Sequence, residues 1–139
     1  MGAIGAFLYA WRVEPHWVDV VHRKLPIRGL PNDLDGKRLV QLSDLHAGEI
    51  VDQDFLKDAL RRVGDLHPDA ILMTGDYMSC VGLEQVDQAM DAIAALPAAP
   101  LGRFAVLGNH DYGLHWQRAD VADRLSADLR GAGIKVLRN

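Results

Sequence analysis

Short apolar runs alternate along the chain with longer segments whose apolar residues recur at helical spacing. The short runs cover residues 39–42, 70–74, 103–107 and 134–137, and each predicts a β-strand. The run over 70–74 is apolar throughout, which is typical of a strand that is covered on both faces and belongs to a parallel sheet. A β-prone stretch over 17–25, followed by Pro26, predicts an additional edge strand.

Three longer segments predict helices. The first is expected to begin with Asp52 as its N-cap and to stop near Gly64. The second covers about 83–96, and the third lies around 121–129. Because strands and helices alternate with short connections, the predicted fold class is α/β, with a mainly parallel sheet and flanking helices.

Composition and charge narrow the class of protein. The chain has 139 residues, of which 49% are apolar and 24% charged, so it can bury the core of one domain. Cys80 is the single cysteine and cannot form an internal disulfide. The formal net charge is −4, which provides no broad basic surface for a nucleic-acid backbone. Nucleic acid is therefore not the expected partner.

The N-terminal segment is apolar and uncharged until Arg12 and Glu14. It is shorter than the ~20 apolar residues of a membrane-spanning helix, and it shows no clear secretory signal pattern. We expect residues 1–16 to form an apolar arm or the stub of an anchor, and residues 17–139 to form one domain. One alternative is an arm that packs on the domain, and the other is an anchor stub or interfacial segment that associates with a membrane. A cytoplasmic or membrane-peripheral location is favoured.

Three polar clusters follow three successive predicted strands. They are Asp44-Leu45-His46, Gly75-Asp76 and Gly108-Asn109-His110-Asp111. Their spacing is close to the ~30 residues of one strand-helix-strand unit. Since open α/β sheets place their ligand crevice at the carboxyl ends of the strands, we expect the clusters to meet at one edge of the sheet.

The side chains in these clusters are typical of a metal site. Carboxylate oxygens, an imidazole nitrogen and an amide oxygen form a donor set that suits Mn, Fe or Zn. The candidate ligands are Asp44, His46, Asp76 and Asn109, and the two oxygens of Asp76 allow it to bridge two ions. Two divalent ions at such a site would activate a bridging hydroxide for attack on phosphorus.

Other catalytic patterns are missing from the sequence. It contains no Gly-x-Gly-x-x-Gly, no Gly-x-x-x-x-Gly-Lys-Ser/Thr and no Gly-x-Ser-x-Gly. Dinucleotide binding, P-loop chemistry and serine hydrolysis are therefore disfavoured. Ser43 stands beside the first cluster and is interpreted as a turn residue.

The clusters at residues 43–46, 75–76 and 108–111 resemble the first three motifs of the calcineurin-like metallophosphoesterase superfamily. The flanks, residues 9–15 and 133–139, are similar to a bacterial branch of membrane-associated phosphodiesterases that includes YaeI-like and UDP-2,3-diacylglucosamine hydrolase-like proteins. The resemblance implies a four-layer α/β/β/α fold, of which this chain would be the N-terminal half.

The resemblance also implies a role for each candidate residue. Asp44, His46 and Asp76 would bind one divalent metal ion, and Asp76 and Asn109 the second. His110 would be the catalytic residue that protonates the leaving oxygen or stabilises the transferring phosphoryl group. Asp111 is expected either to hold its loop or to support the metal ligands. His115 and Trp116 are interpreted as packing residues, with lining of the substrate mouth as the alternative.

Two features of the family pattern refine the prediction. Residues 75–81 lack the Asp-Arg-Gly continuation of the protein phosphatases, so phosphoprotein specificity is not expected. The resemblance also implies further histidine ligands, in Gly-His and Gly-x-His motifs of a C-terminal half that completes a second sheet, so we expect a domain that is incomplete at its C-terminus. The predicted function is a phosphodiesterase or pyrophosphatase that acts on a small or lipid-linked phosphoester. The alternative is a non-catalytic metal-binding or assembly fragment of the same fold.

Overall fold

The structure is a computed structural model that describes residues 17–48, 51–79 and 82–138. The chain divides into two units, with the boundary after Asp33. The predicted apolar arm over residues 1–16 and Cys80 lie outside the described residues.

The described part of the first unit, residues 17–33, contains no strand, so the predicted edge strand over 17–25 is wrong. The side chains that suggested it are open to solvent: Trp17, Val21 and Leu25 are 68%, 65% and 64% exposed. Strand propensity mainly reflects packing on a half-buried surface. These residues have no such surface, and their β-prone composition does not by itself produce a strand.

The second unit contains four strands and three helices among its described residues. In chain order they are β1 (Leu39–Leu42), α1 (Gln53–Arg62), β2 (Ala70–Met73), α2 (Leu83–Ile93), β3 (Arg103–Ala105), α3 (Ala119–Gly131) and β4 (Lys135–Val136). Short 3₁₀ turns occur at Asn32–Leu34, Val63–Leu66, His110–Tyr112 and Leu114–Trp116. None of these helices is long and apolar enough to cross a membrane.

The strands form one parallel sheet, and its strand order is β1-β2-β3-β4. The parallel pairing agrees with the mainly parallel sheet that the sequence predicts. In the register, Val40 pairs with Ile71, and Ile71 pairs with Arg103. Because neighbours in the sheet are also neighbours in the chain, each strand delivers its following loop next to the previous one. The α/β fold class with flanking helices is confirmed, whereas the second sheet of a four-layer fold stays a prediction.

The three helices lie side by side on one face of the sheet. Right-handed crossovers between sequential parallel strands place every helix on the same side, and α2 packs against both α1 and α3. The core lies between helices and sheet, with Ile71, Met73 and Leu125 at 1% exposure or less. On the other face Leu72 is only half-buried. The expectation that β2 is covered on both faces is therefore wrong for the described residues.

Helix α1 begins where the sequence predicts. Its N-cap Asp52 has an extended backbone, and its carboxylate accepts the backbone N–H of Phe55 at 2.8 Å. Asp54 in the first turn and the arginines Arg61 and Arg62 in the last turn complement the helix dipole. The helix carries the chain from the end of β1 back to the start of β2.

Replacement of Asp52 tests whether its side chain caps helix α1. Asp52→Ala leaves one backbone donor of the first turn unsatisfied, so we expect the free energy of unfolding to fall by about 1 kcal/mol. Urea denaturation followed by circular dichroism measures it. The control is Asp54→Ala, which removes only a favourable charge near the dipole and should cost about 0.3 kcal/mol. Equal losses in the two variants would contradict the capping assignment.

Candidate metal centre

The loop after β1 carries Asp44 and His46 in an uncommon backbone conformation. Their φ angles are 58° and 46°, in the left-handed region that few residues other than glycine adopt. The loop is held by its neighbour: the N–H of Asp44 donates to the carbonyl of Gly75 at 3.1 Å, and the N–H of His46 donates to the carbonyl of Asp76 at 3.0 Å. The first two loops therefore run side by side beyond the ends of their strands.

The loop after β2 brings Asp76 against the loop after β3. Asp76 is also left-handed, with φ 55°. A Cβ atom at Gly75 would collide with the backbone of Gly108, and a Cβ atom at Gly108 would collide with the carboxylate of Asp76. Only glycine permits this close approach at both positions. The glycines of the second and third motifs thus let the two loops touch.

The third loop also contacts the Asp76 carboxylate through its backbone. The N–H of His110 donates to Asp76 Oδ1 at 3.0 Å. Asn109, which lies between Gly108 and His110, is exposed. The residues on both sides of Asn109 are therefore adjacent to the Asp76 carboxylate, which places this residue at the same edge of the sheet as the other candidate ligands.

Asp111 is wholly buried and accepts three backbone N–H groups. Its Oδ2 accepts from Asp76 at 2.9 Å and from Gly108 at 2.8 Å, and its Oδ1 accepts from Tyr77 at 2.8 Å. Burial raises the pKa of the Asp111 carboxyl, and the three donors oppose that rise. The sequence predicts that Asp111 either holds its loop or supports the metal ligands. The three hydrogen bonds show that it holds the second and third loops together.

Tyr77 is a residue of this region that the sequence analysis missed. Its ring is buried, and its hydroxyl oxygen lies within hydrogen-bond distance of two carbonyls, that of Met73 in β2 at 3.1 Å and that of Val106 after β3 at 2.9 Å. The single O–H proton is shared between these two acceptors. Burial, together with the charge of Asp111, raises the pKa of the Tyr77 hydroxyl. No sequence pattern marks a tyrosine after Gly-Asp for this role.

Three predicted ligands come together in a cluster that can hold a cation. Asp44, His46 and Asp76 each offer one ligand atom, and these atoms lie within 4.8 Å of one another. Asp44 Oδ1 and His46 Nε2 are 3.8 Å apart. Two carboxylates and an imidazole form a donor set suited to a divalent ion of the Mn, Fe or Zn type. The residues present therefore fit the metal that the family resemblance implies.

The predicted catalytic residue His110 lies against this cluster. Its ring meets the ring of His46 edge-on, with centroids 4.9 Å apart, and the centroid of the Trp116 ring is 6.1 Å away. The Nδ1 atom of His110 is buried and has no hydrogen-bond partner within the described parts of the chain. The side chain of Trp116 is 58% exposed, so the interpretation of Trp116 as a packing residue is wrong. Its exposure and its contact with His110 agree with the alternative, a position at the rim of the metal centre.

Comparison with known proteins defines the family. The model of the calcineurin-like phosphoesterase family matches residues 37–135, which include all three motifs. The chain therefore belongs to the calcineurin-like phosphoesterase family, a family of metal-dependent phosphoester hydrolases. This confirms the resemblance stated from the motifs.

Three known proteins show the range of sequences to which this chain is similar. UDP-2,3-diacylglucosamine pyrophosphatase LpxG of Chlamydia muridarum is 41% identical over 81% of this chain and 34% of its own length. The uncharacterized metallophosphoesterase YkuE of Bacillus subtilis is 30% identical over 78% of this chain and 38% of its own length. Phosphodiesterase YaeI of Escherichia coli is 28% identical over 96% and 47%. The chain thus spans less than half of each relative, and no solved structure matches it significantly.

The close approach of the two loops can be tested at Gly108. A Cβ atom there would also lie 2.7 Å from the backbone nitrogen of Asp76, so Gly108→Ala forces the loops apart. We expect a loss of about 1–3 kcal/mol in the free energy of unfolding, measured by urea denaturation. Gly131→Ala is the matched control because nothing lies within 4 Å of its Cβ position. If both variants keep wild-type stability, the close approach is refuted.

Proposed function

We propose that this chain provides part of the active site of a divalent-metal-dependent phosphoester hydrolase. The observation that carries the proposal is the cluster of ligand atoms from Asp44, His46 and Asp76, all within 4.8 Å of one another. Membership of the calcineurin-like phosphoesterase family supports it independently of the geometry.

In this proposal Asp44, His46 and Asp76 bind one divalent ion, and Asp76 and Asn109 bind a second. When bound, such ions act as Lewis acids toward a phosphoryl oxygen and lower the pKa of coordinated water. The carboxylates of Asp44 and Asp76 hold the ions and cancel part of their charge. With two divalent ions bound, the local charge would be about +2, which would attract an anionic phosphoester and stabilise the charge that develops during its hydrolysis.

His110 is the proposed catalytic residue. Its backbone is tied to the Asp76 carboxylate, and its ring packs edge-on against His46. These two contacts restrain the ring beside the metal ligands, where an imidazole can donate a proton to the leaving oxygen or stabilise the transferring phosphoryl group.

The proposed substrate is a phosphodiester or pyrophosphate, small or lipid-linked, rather than a phosphoprotein. Two relatives support this class, since one is named a UDP-2,3-diacylglucosamine pyrophosphatase and the other a phosphodiesterase. The net charge of −4 disfavours a nucleic-acid polymer. An exposed Asp44 and an exposed Trp116 leave the centre accessible from solvent, as a large substrate requires.

The second candidate function is a non-catalytic metal-binding or assembly fragment of the same fold. The observation that favours it is that, among the described residues, the ligand atoms that come together are those of three side chains, Asp44, His46 and Asp76. Metal binding without substrate turnover would distinguish this function from the enzyme.

Asp76→Asn tests the proposed bridging ligand. Loss of the carboxylate charge should weaken Mn²⁺ binding at least tenfold and remove most hydrolysis of bis(p-nitrophenyl) phosphate. Calorimetric titration and absorbance at the nitrophenolate band measure the two effects on the 139-residue chain. Asp58→Asn on the exposed face of α1 is the matched control and should leave both unchanged. Near-normal turnover by Asp76→Asn would refute the assignment, and Mn²⁺ binding without hydrolysis by the wild type would favour the non-catalytic function.

We also propose that the first unit contacts an anionic membrane surface. Within residues 17–28, the apolar side chains of Trp17, Leu25 and Ile27 are 58–68% exposed, and Arg23 and Lys24 stand beside them. Exposed aromatic and aliphatic groups next to basic residues are typical of interfacial membrane segments. Such contact would bring the chain to a lipid-linked substrate.

Vesicle sedimentation tests this contact. Each basic side chain near an anionic surface contributes about 1 kcal/mol, so the double variant Arg23→Glu and Lys24→Glu should bind phosphatidylglycerol vesicles at least tenfold more weakly than the wild type. The control reverses two exposed arginines elsewhere, Arg62→Glu and Arg130→Glu. Equal binding of wild type and Arg23→Glu/Lys24→Glu, or equal weakening in the control, would contradict the proposal.

A further inference from the structure

Asp111 carries a charged side chain in the protein interior, where burial of a charge costs free energy. It is 0% exposed, and it lies on the 3₁₀ turn His110–Tyr112 within the third loop, which follows β3. Burying a carboxylate is tolerated only when hydrogen bonds replace the lost water. Its two oxygens accept the N–H groups of Asp76, Tyr77 and Gly108. The cost of burial is thus offset by donors from two different loops.

The bonds between these loops are reciprocal. The carboxylate of Asp111, in the third loop, accepts the backbone N–H of Asp76, in the second. In return the carboxylate of Asp76 accepts the backbone N–H of His110 at 3.0 Å. We call this arrangement the aspartate clasp, and define it as the side chains of Asp76 and Asp111 with the N–H groups of Asp76, Tyr77, Gly108 and His110.

The clasp determines where the Asp76 carboxylate points. Asp76 has a left-handed backbone, which costs about 1–2 kcal/mol for a residue other than glycine. Its N–H is fixed by Asp111, and its Oδ1 is fixed by His110. With both its backbone and one carboxylate oxygen restrained, Asp76 is held in the orientation that brings a ligand atom to Asp44 and His46.

We propose that Asp111 is a positioning residue that acts on the metal centre through the backbone of Asp76, and through Gly108 on the loop that carries Asn109 and His110. The proposal rests on the proposed function, because it assigns a role toward the metal site. We assign Asp111 no direct bond to the metal, because it is 0% exposed and the ligand atoms that come together among the described residues are those of Asp44, His46 and Asp76. Its contribution is to prepare the ligands before the metal arrives.

A carboxylate, rather than an amide, is required at this position. Three N–H donors converge on the side chain, two on Oδ2 and one on Oδ1. Asparagine offers one acceptor oxygen, and its NH₂ group would face at least one N–H donor. Asp111→Asn keeps the shape of the side chain, but its NH₂ group faces a backbone N–H that is then left without an acceptor. The hydrogen bond to that N–H is lost, and the clasp is weakened.

The test compares Mn²⁺ affinity in the wild-type chain and in Asp111→Asn by calorimetric titration. We expect at least tenfold weaker binding in the variant, with the far-ultraviolet circular dichroism of the folded chain retained. Ser126→Ala changes another fully buried polar side chain, on α3, and should bind Mn²⁺ like the wild type. Ile134→Val is a core variant that lowers the melting temperature without touching the clasp, and it should also keep wild-type affinity.

A second measurement needs no variant. Amide hydrogen exchange of the metal-free wild type, followed by NMR, should show the N–H groups of Asp76, Tyr77, Gly108 and His110 at least tenfold slower than in an unstructured peptide. Unprotected amides would overturn the clasp even if Asp111→Asn fails to fold. Wild-type affinity in Asp111→Asn, beside a wild type that binds Mn²⁺, overturns only the positioning role. A wild type that binds no Mn²⁺ refutes the proposed function and the positioning role with it.

Discussion

Backbone hydrogen bonds between the loops that follow β1, β2 and β3 are the interaction on which the candidate metal centre depends. The N–H of Asp44 binds the second loop, and the N–H groups of Asp76 and Tyr77 bind the third loop through Asp111. Each loop is therefore positioned by the next one in the sheet. Because the strands are parallel and in sequential order, the register of the sheet sets these contacts.

This arrangement has an energetic cost that the rest of the fold offsets. Asp44, His46 and Asp76 occupy the left-handed region, at about 1–2 kcal/mol each. Strained residues persist only where the surrounding structure over-determines them. That structure is the core between sheet and helices, where a single fully buried residue such as Ile71 or Leu125 contributes about 1.5–3 kcal/mol. The strain is thus concentrated at the ligands and supported from the opposite end of the strands.

The two faces of the centre have different characters. Toward the protein, Asp111 and Tyr77 are buried and fully engaged with backbone groups. Toward solvent, Asp44, Asn109 and Trp116 are exposed. The buried layer holds the loops in place through backbone groups, and the exposed layer presents the candidate ligands Asp44 and Asn109 to solvent.

The sequence by itself determined the α/β class and the strands β1 to β4, because apolar periodicity is a local property of the chain. Cap chemistry and motif spacing are also local, and they determined the Asp52 cap and the grouping of Asp44, His46 and Asp76. It misplaced a strand over 17–25, since strand formation needs a surface to pack on. Only the tertiary structure decided that the helices cover one face and that Tyr77 and Asp111 lock the loops. Those contacts join residues about 30 positions apart, and their partners are backbone groups. Every residue has a backbone C=O, and every residue except proline has a backbone N–H, so these partners leave no signature in the sequence.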